Sequence, residues 1–156
     1  MQPRYKSVGG VESVALYPTD AVQTILFSSS GCEVLFEGIP IEVELLDDHS
    51  LFEERLESSK GATKVLHKLT LVADRGVAEA WLTDEFIDEG SYNGLVAVVR
   101  LCDGRQLLCG YSHALSAEQP LFIESITANS GSSLHDTPSV ALHLVSQDTE
   151  FSQEII

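Results

Sequence analysis

The chain has no run of the ~20 consecutive apolar residues that a membrane-spanning helix needs. It is also short of positive charge. Nine Lys and Arg stand against 24 Asp and Glu, a formal net charge of −15. A surface this acidic repels nucleic-acid phosphates and anionic lipid, so neither nucleic acid nor a membrane is expected as a partner. The same field favours solubility and suits a basic protein partner. Three cysteines, Cys32, Cys102 and Cys109, are too few for a disulfide framework and read as small buried hydrophobes in a reducing compartment. Arg4 and Lys6 are followed by no apolar stretch, because Glu12, Pro18 and Asp20 interrupt it, so no secretory signal is expected. Internal repeats, low-complexity tracts and linkers are absent, as are phosphate-loop, dinucleotide and kinase signatures.

What is present describes a folded body. Hydrophobic residues make up 44% and charged residues 21%, the balance of a globular chain rather than a disordered one. A length of 156 residues suits one domain spanning 1–156, large enough to hold a core without staples. Residues 1–10 and 149–156 read as loose ends.

The strongest local signal is residues 94–110, two apolar segments around Asp103-Gly104. Asp-Gly suits a two-residue hairpin turn, whose positions both need positive φ. That register places Cys102 opposite Arg105, Arg100 opposite Leu107 and Val98 opposite Cys109, and it separates Cys102 from Cys109 beyond disulfide reach. Both faces of the hairpin are mainly apolar, which predicts cover on both sides. Further strands are expected over residues 11–16, 22–27, 32–36, 39–46, 63–73, 120–128 and 139–147. In the 39–46 segment Ile41, Val43 and Leu45 alternate with Glu42 and Glu44, one buried and one wet face. In the 63–73 segment His67 shares the face of Leu69.

One or two helices are expected, the first a possible short one. Ser50 and Glu53 have capping-box spacing, with Gly61 as a stop. Residues 76–89 place Ala78, Trp81, Leu82 and Phe86 on one side, so that Trp81 and Phe86 anchor this helix on a sheet. Its C-terminal end is crowded with Asp84, Glu85, Asp88 and Glu89, the unfavourable end of the helix dipole for carboxylates. An early stop, with Thr83 capping a second short turn, resolves that conflict. The sum is a mostly β, α+β fold: an antiparallel β-sandwich or partly open barrel with one inserted helix.

Signs of chemistry are sparse. Gly110-Tyr111-Ser112-His113-Ala114 resembles a loosened nucleophile elbow, which would make Ser112 and His113 a minor hydrolase pair. The elbow requires a helix after the serine and a parallel sheet beneath it, and Pro120 arrives too soon for either. Asp84, Glu85, Asp88 and Glu89 could hold a hard cation, but their spacing is not that of an EF-hand, and a solvated acidic face explains them. Cys102, Cys109 and His113 lack the close Cys pairs of structural zinc. Hence no catalytic residue, metal or cofactor is expected. The apolar end of the chain, with Phe151, Ile155 and Ile156, and the wet strand face with Glu42 and Glu44 stand out as interaction residues.

One resemblance adds to this. Asp103-Gly104, Gly110-Tyr111-Ser112, Pro120-Leu121, Ser130-Gly131, Asp136-Thr137-Pro138 and Ser146-Gln147-Asp148 follow in order after His67-Lys68-Leu69-Thr70-Leu71. Over residues 65–150 the chain resembles small β-rich structural proteins of phages and prophages of Bacteroides-like bacteria. The resemblance implies a tail or virion assembly protein that acts through protein contacts and has no catalytic residues; a homo-oligomer in the host cytoplasm or the virion is expected with it. The alternative is a β-barrel that binds a small molecule.

Overall fold

The computed structural model describes residues 10–46, 50–112, 117–131 and 138–156. His49, His113 and His135, and residues 1–9 of the loose end expected over 1–10, lie outside them. Strands appear in chain order as β1 (Val11–Pro18), β2 (Val22–Ser28), β3 (Gly31–Phe36), β4 (Ile41–Glu42), β5 (Leu51–Ser59) and β6 (Ala62–Asp74). One short helix, α1 (Asp84–Asp88), comes next. It is followed by β7 (Leu95–Leu101), β8 (Gln106–Cys109), β9 (Tyr111–Ser112), β10 (Ala117–Glu118), β11 (Phe122–Asn129), β12 (Ser139–Asp148) and β13 (Gln153–Glu154).

The strands pair antiparallel into a five-stranded sheet, β13-β8-β7-β1-β4, a four-stranded sheet, β11-β12-β6-β5, and the ribbons β2-β3 and β9-β10. None of the sheets closes into a barrel, so the sandwich form of the expected fold is the one found. The principal core lies between the two large sheets. Val14, Leu16, Leu95, Ala97 and Val99 from one meet Leu69, Leu71, Val140, Leu142 and Leu144 from the other. Trp81 and Phe86 are buried in the same core, as their spacing predicts. Among the described residues no helix is long and apolar enough to cross a membrane.

Strand β7 explains its own sequence. Leu95, Ala97 and Val99 face the principal core, while Val96 packs with Cys32 and Leu108 in a second cluster under the β2-β3 ribbon. Where a strand is covered on both faces it must be apolar, and β7 is so from Leu95 to Val99; Arg100, near its end, is exposed.

The hairpin register differs by one residue from the expected one. Ala97 pairs with Cys109, Val98 with Leu108, Val99 with Leu107 and Arg100 with Gln106. The loop has three residues because Asp103 avoids positive φ; only Gly104 adopts it, at 94°. Asp103 instead binds Arg105, accepting its backbone N–H at 3.0 Å and its Nε–H at 2.9 Å. The slip exchanges the faces. Leu107 and Cys109 turn to the principal core, and Cys102 is exposed rather than buried. All three thiols are free.

Three other elements depart from expectation. The helix expected after Ser50 is strand β5, which forms a hairpin with β6 through a turn with Lys60 at φ 50° and Gly61 at φ 85°. Ser50 serves that sheet, its hydroxyl accepting the Val72 N–H at 3.1 Å. The helix expected over residues 76–89 breaks into a 3₁₀ turn, Ala78–Trp81, then α1, then a π turn, Glu89–Asn93. Thr83 is extended and caps α1, accepting the Phe86 N–H at 3.2 Å, so the early stop is the outcome. The 39–46 strand shrinks to Ile41–Glu42: Pro40 offers no N–H to the ladder, and beyond Glu42 the chain leaves the sheet to place Leu46 N–H on Val72 O at 2.9 Å. Its alternation survives, since Ile41, Val43 and Leu45 meet the core while Glu42 and Glu44 are exposed.

Candidate functional site

Two side chains with nucleophilic atoms near the middle of the chain, the candidate Ser112 and the cysteine Cys109, are sealed inside. Ser112 is fully buried, and its Oγ donates to Asp148 Oδ1 at 2.7 Å. His113, its supposed partner, lies outside the described residues. Cys109 is equally buried, with Sγ 3.6 Å from His67 Nδ1. Burial, reinforced by the Glu54 carboxylate, pushes this thiol well above its ordinary range, so it stays protonated and inert.

His67 joins a polar knot beneath the C-terminal segment. Its Nε2 faces the Glu150 carbonyl at 3.2 Å and is therefore the donor there. Its Nδ1 meets Glu54 Oε1 and Ser152 Oγ, each at 3.2 Å, and Glu54 also accepts the Ser152 N–H at 2.6 Å. These contacts fasten the chain end. Residues 149–156, expected to be loose, form a strap: β13 pairs with β8, and Ile155 bridges to Cys32. Gly31 allows this approach, since a Cβ there would overlap the Glu154 carbonyl.

The surface presents a different kind of site. A groove of about 640 Å³ opens between the end of β1, strand β4 and the α1–π-turn segment. Its floor is apolar: Leu16, Phe86 and Leu95 are almost fully buried, and Ile41 is half-buried. Its rim carries Asp20, Glu85, Asp88 and Glu89, and no basic residue is among its described lining. Tyr92 stands beside them with 79% of its surface exposed. The arrangement follows from the break at Thr83, which sets Glu85 and Asp88 on a short helix whose other side buries Phe86. Asn93 Nδ2 donates to Glu89 Oε2 at 3.1 Å and steadies that wall. An apolar floor under four carboxylates suits a ligand with an aliphatic stem and a cationic head, such as a Lys or Arg side chain, with Tyr92 as an aromatic face.

Three members of the acidic run, Glu85, Asp88 and Glu89, reach this groove, while Asp84 is not in its lining. Among the described residues no three potential ligands converge to hold a metal ion. The other expected interaction residues lie apart from the groove. Glu42 and Glu44 flank the β4 edge of the five-stranded sheet, and the strap forms its opposite edge. On the strap Ile155 is half-buried in the second cluster, whereas Phe151 and Ile156 are 49% and 59% exposed. A second hollow, on the outer face of the four-stranded sheet, mixes Arg55 and Lys68 with Glu53 and Glu124 and has no dominant sign of charge.

Sequence reasoning missed Asp20 and Tyr92 as site residues. The available signal was an aromatic between two glycines, in Gly90-Ser91-Tyr92-Asn93-Gly94, directly after an acidic run. Comparison of the chain with protein-family models, with curated proteins and with solved structures finds no match in any of the three.

Proposed function

We propose that this chain is a non-enzymatic assembly protein that works through protein–protein contacts, as a structural subunit of a phage or prophage particle. The observation that carries the reading is the groove: an apolar floor, four rim carboxylates and an exposed tyrosine, a combination built to receive a basic protein segment. The burial of Ser112 and Cys109 supports it, because neither side chain can meet a substrate. The resemblance across residues 65–150 supplies the particle.

The test is incorporation. Particles induced from cells carrying the gene, purified on a density gradient and digested, are expected to yield peptides of this chain in many copies per particle. The Tyr92→Ala, Glu85→Gln, Asp88→Asn variant is expected to be missing from them while melting as the unmodified protein does. Absence of the unmodified chain from particles refutes the particle reading. Normal incorporation of the triple variant refutes the role of the groove.

A further inference from the structure

Away from the groove, one short stretch of the molecule carries charge of the opposite sign. Four of the nine basic residues, Arg55, Lys60, Lys64 and Lys68, belong to the β5-β6 hairpin. Between positions 55 and 64 three bases face one acid, Glu57, a local charge of +2 on a chain at −15. The hairpin projects. β12 accompanies β6 only as far as Val65, so beyond that point β5 and β6 pair with each other alone. Residues 58–64 are all exposed, and a Cβ placed on Gly61 would meet nothing within 4 Å. The tip is therefore a two-stranded ribbon, its strands ~4.8 Å apart, that does not rest on its own groove.

Arg55 and Lys64 share Glu57, at 3.8 and 3.6 Å, while Lys60 at the apex has no carboxylate partner among the described residues. Leu56, on the same ribbon, is 51% exposed. The tip thus presents what the groove lacks: cationic heads on long aliphatic stems, beside an apolar side chain.

We propose that the β5-β6 tip of one copy docks in the Asp20–Glu85–Asp88–Tyr92 groove of the next, so that copies join head to tail. The proposal rests on the protein-contact reading of the groove and names the partner as a second copy of this chain. Lys60 enters between the carboxylates, its stem over the apolar floor, and Leu56 and Tyr92 lose water together. Tip and groove are different patches, so the contact is heterologous: it closes into a ring if the rotation permits, and otherwise extends as a filament. The net charge opposes association at long range. At 0.15 M salt the screening length is ~8 Å, which confines the electrostatics to the contact itself, where the signs are opposite.

Sedimentation at 0.15 M salt, from micromolar to millimolar protein, tests this with two variants at exposed positions. The tip variant is Lys60→Glu with Lys64→Glu, and the groove variant is Glu85→Gln with Asp88→Asn. The unmodified chain is expected to grow in mass with concentration, and each variant alone to associate at least tenfold more weakly with an unchanged melting temperature. Mixed in equal amounts, the variants retain one intact tip and one intact groove per pair, so a 1:1 dimer forms and growth stops there. A monomeric unmodified chain at millimolar concentration overturns the proposal, as does association that survives both variants. If the monomeric chain is nevertheless found in particles, head-to-tail docking fails while the protein-contact reading stands.

Discussion

Replacing Ile155 and Ile156 separately by alanine distinguishes a strap built into the fold from a loose end. Ile155 is half-buried against Cys32, Val96 and Leu108, each at most 1% exposed, and its backbone N–H donates to Gln106 O at 2.8 Å. Ile→Ala in a full core costs ~2–5 kcal/mol. Halving that for half-burial gives about 1–2.5 kcal/mol for Ile155→Ala. Ile156 is 59% exposed, and the structure holds it mainly through its backbone N–H, which donates to Cys32 O at 2.9 Å and is unaffected by the substitution. Ile156→Ala is therefore expected to fall within ~0.5 kcal/mol of the unmodified protein, as surface changes do. Urea unfolding at low micromolar concentration, followed by Trp81 fluorescence, reads both. The midpoint should move for Ile155→Ala alone, with the slope unchanged. No shift in either variant means that the strap is not docked. A larger loss at Ile156 than at Ile155 means that its register is one residue off, because alternate residues face opposite sides.

Leu142→Ala, in the middle of the principal core, should cost ~2–5 kcal/mol in the same assay; a loss below 1 kcal/mol contradicts the packing of the two sheets. Ellman's reagent should count one rapidly reacting thiol in the native protein, Cys102, and three after denaturation; fewer than three under denaturing conditions reveals a disulfide. Ser112→Ala removes a hydrogen bond to a carboxylate and should cost ~1.5–3 kcal/mol while leaving particle incorporation intact; labelling of native Ser112 by a fluorophosphonate contradicts its burial. Hydrogen bonds from Arg105 hold the Asp103 carboxyl below its ordinary range. The stabilisation this gives is present above the unfolded-state value of ~3.9 and is lost as pH falls through the lower folded value. Arg105→Ala should raise the NMR titration midpoint of Asp103, and an unchanged midpoint rejects the pair.

Where burial alternates cleanly, the fold was readable. In β6, Val65, His67, Leu69, Leu71 and Ala73 all face inward, and period two alone identifies that strand and its buried face. The same logic failed for β5. Its inward face is Phe52, Glu54 and Leu56, and its outward face Leu51, Glu53 and Arg55, so both faces mix apolar with charged residues and no period survives. Glu54 is the cause, since its place opposite His67 is a polar requirement of the knot that a hydrophobic pattern cannot register. The hairpin slip has a similar origin. Asp-Gly permits either a two-residue or a three-residue loop, and the pair between Asp103 and Arg105 selects the longer.

The groove was illegible for a geometric reason. Its walls come from Pro18 and Asp20, from Ile41 and from residues 83–95, segments that no local window joins. Only its charge was visible, as an acidic run at the wrong end of an expected helix, and the break at Thr83 turns that apparent misfit into a wall. The edges of the sheets bear on how such a molecule meets others. β4 and β13, the edges of the five-stranded sheet, pair over two residues each, too short to template a further strand. β11 carries a register shift between Ile123 and Ser125, with Gly90 of the π turn pressed close against Ile123. β5 carries Glu53, Arg55 and Glu57 on one face, so an added strand would have to match its charges in register. Each of these four edges of the two large sheets is short, bulged or charged, which discourages main-chain pairing there. Under the docking proposed above, association runs through side-chain surfaces, the projecting basic tip meeting the acidic groove of opposite charge.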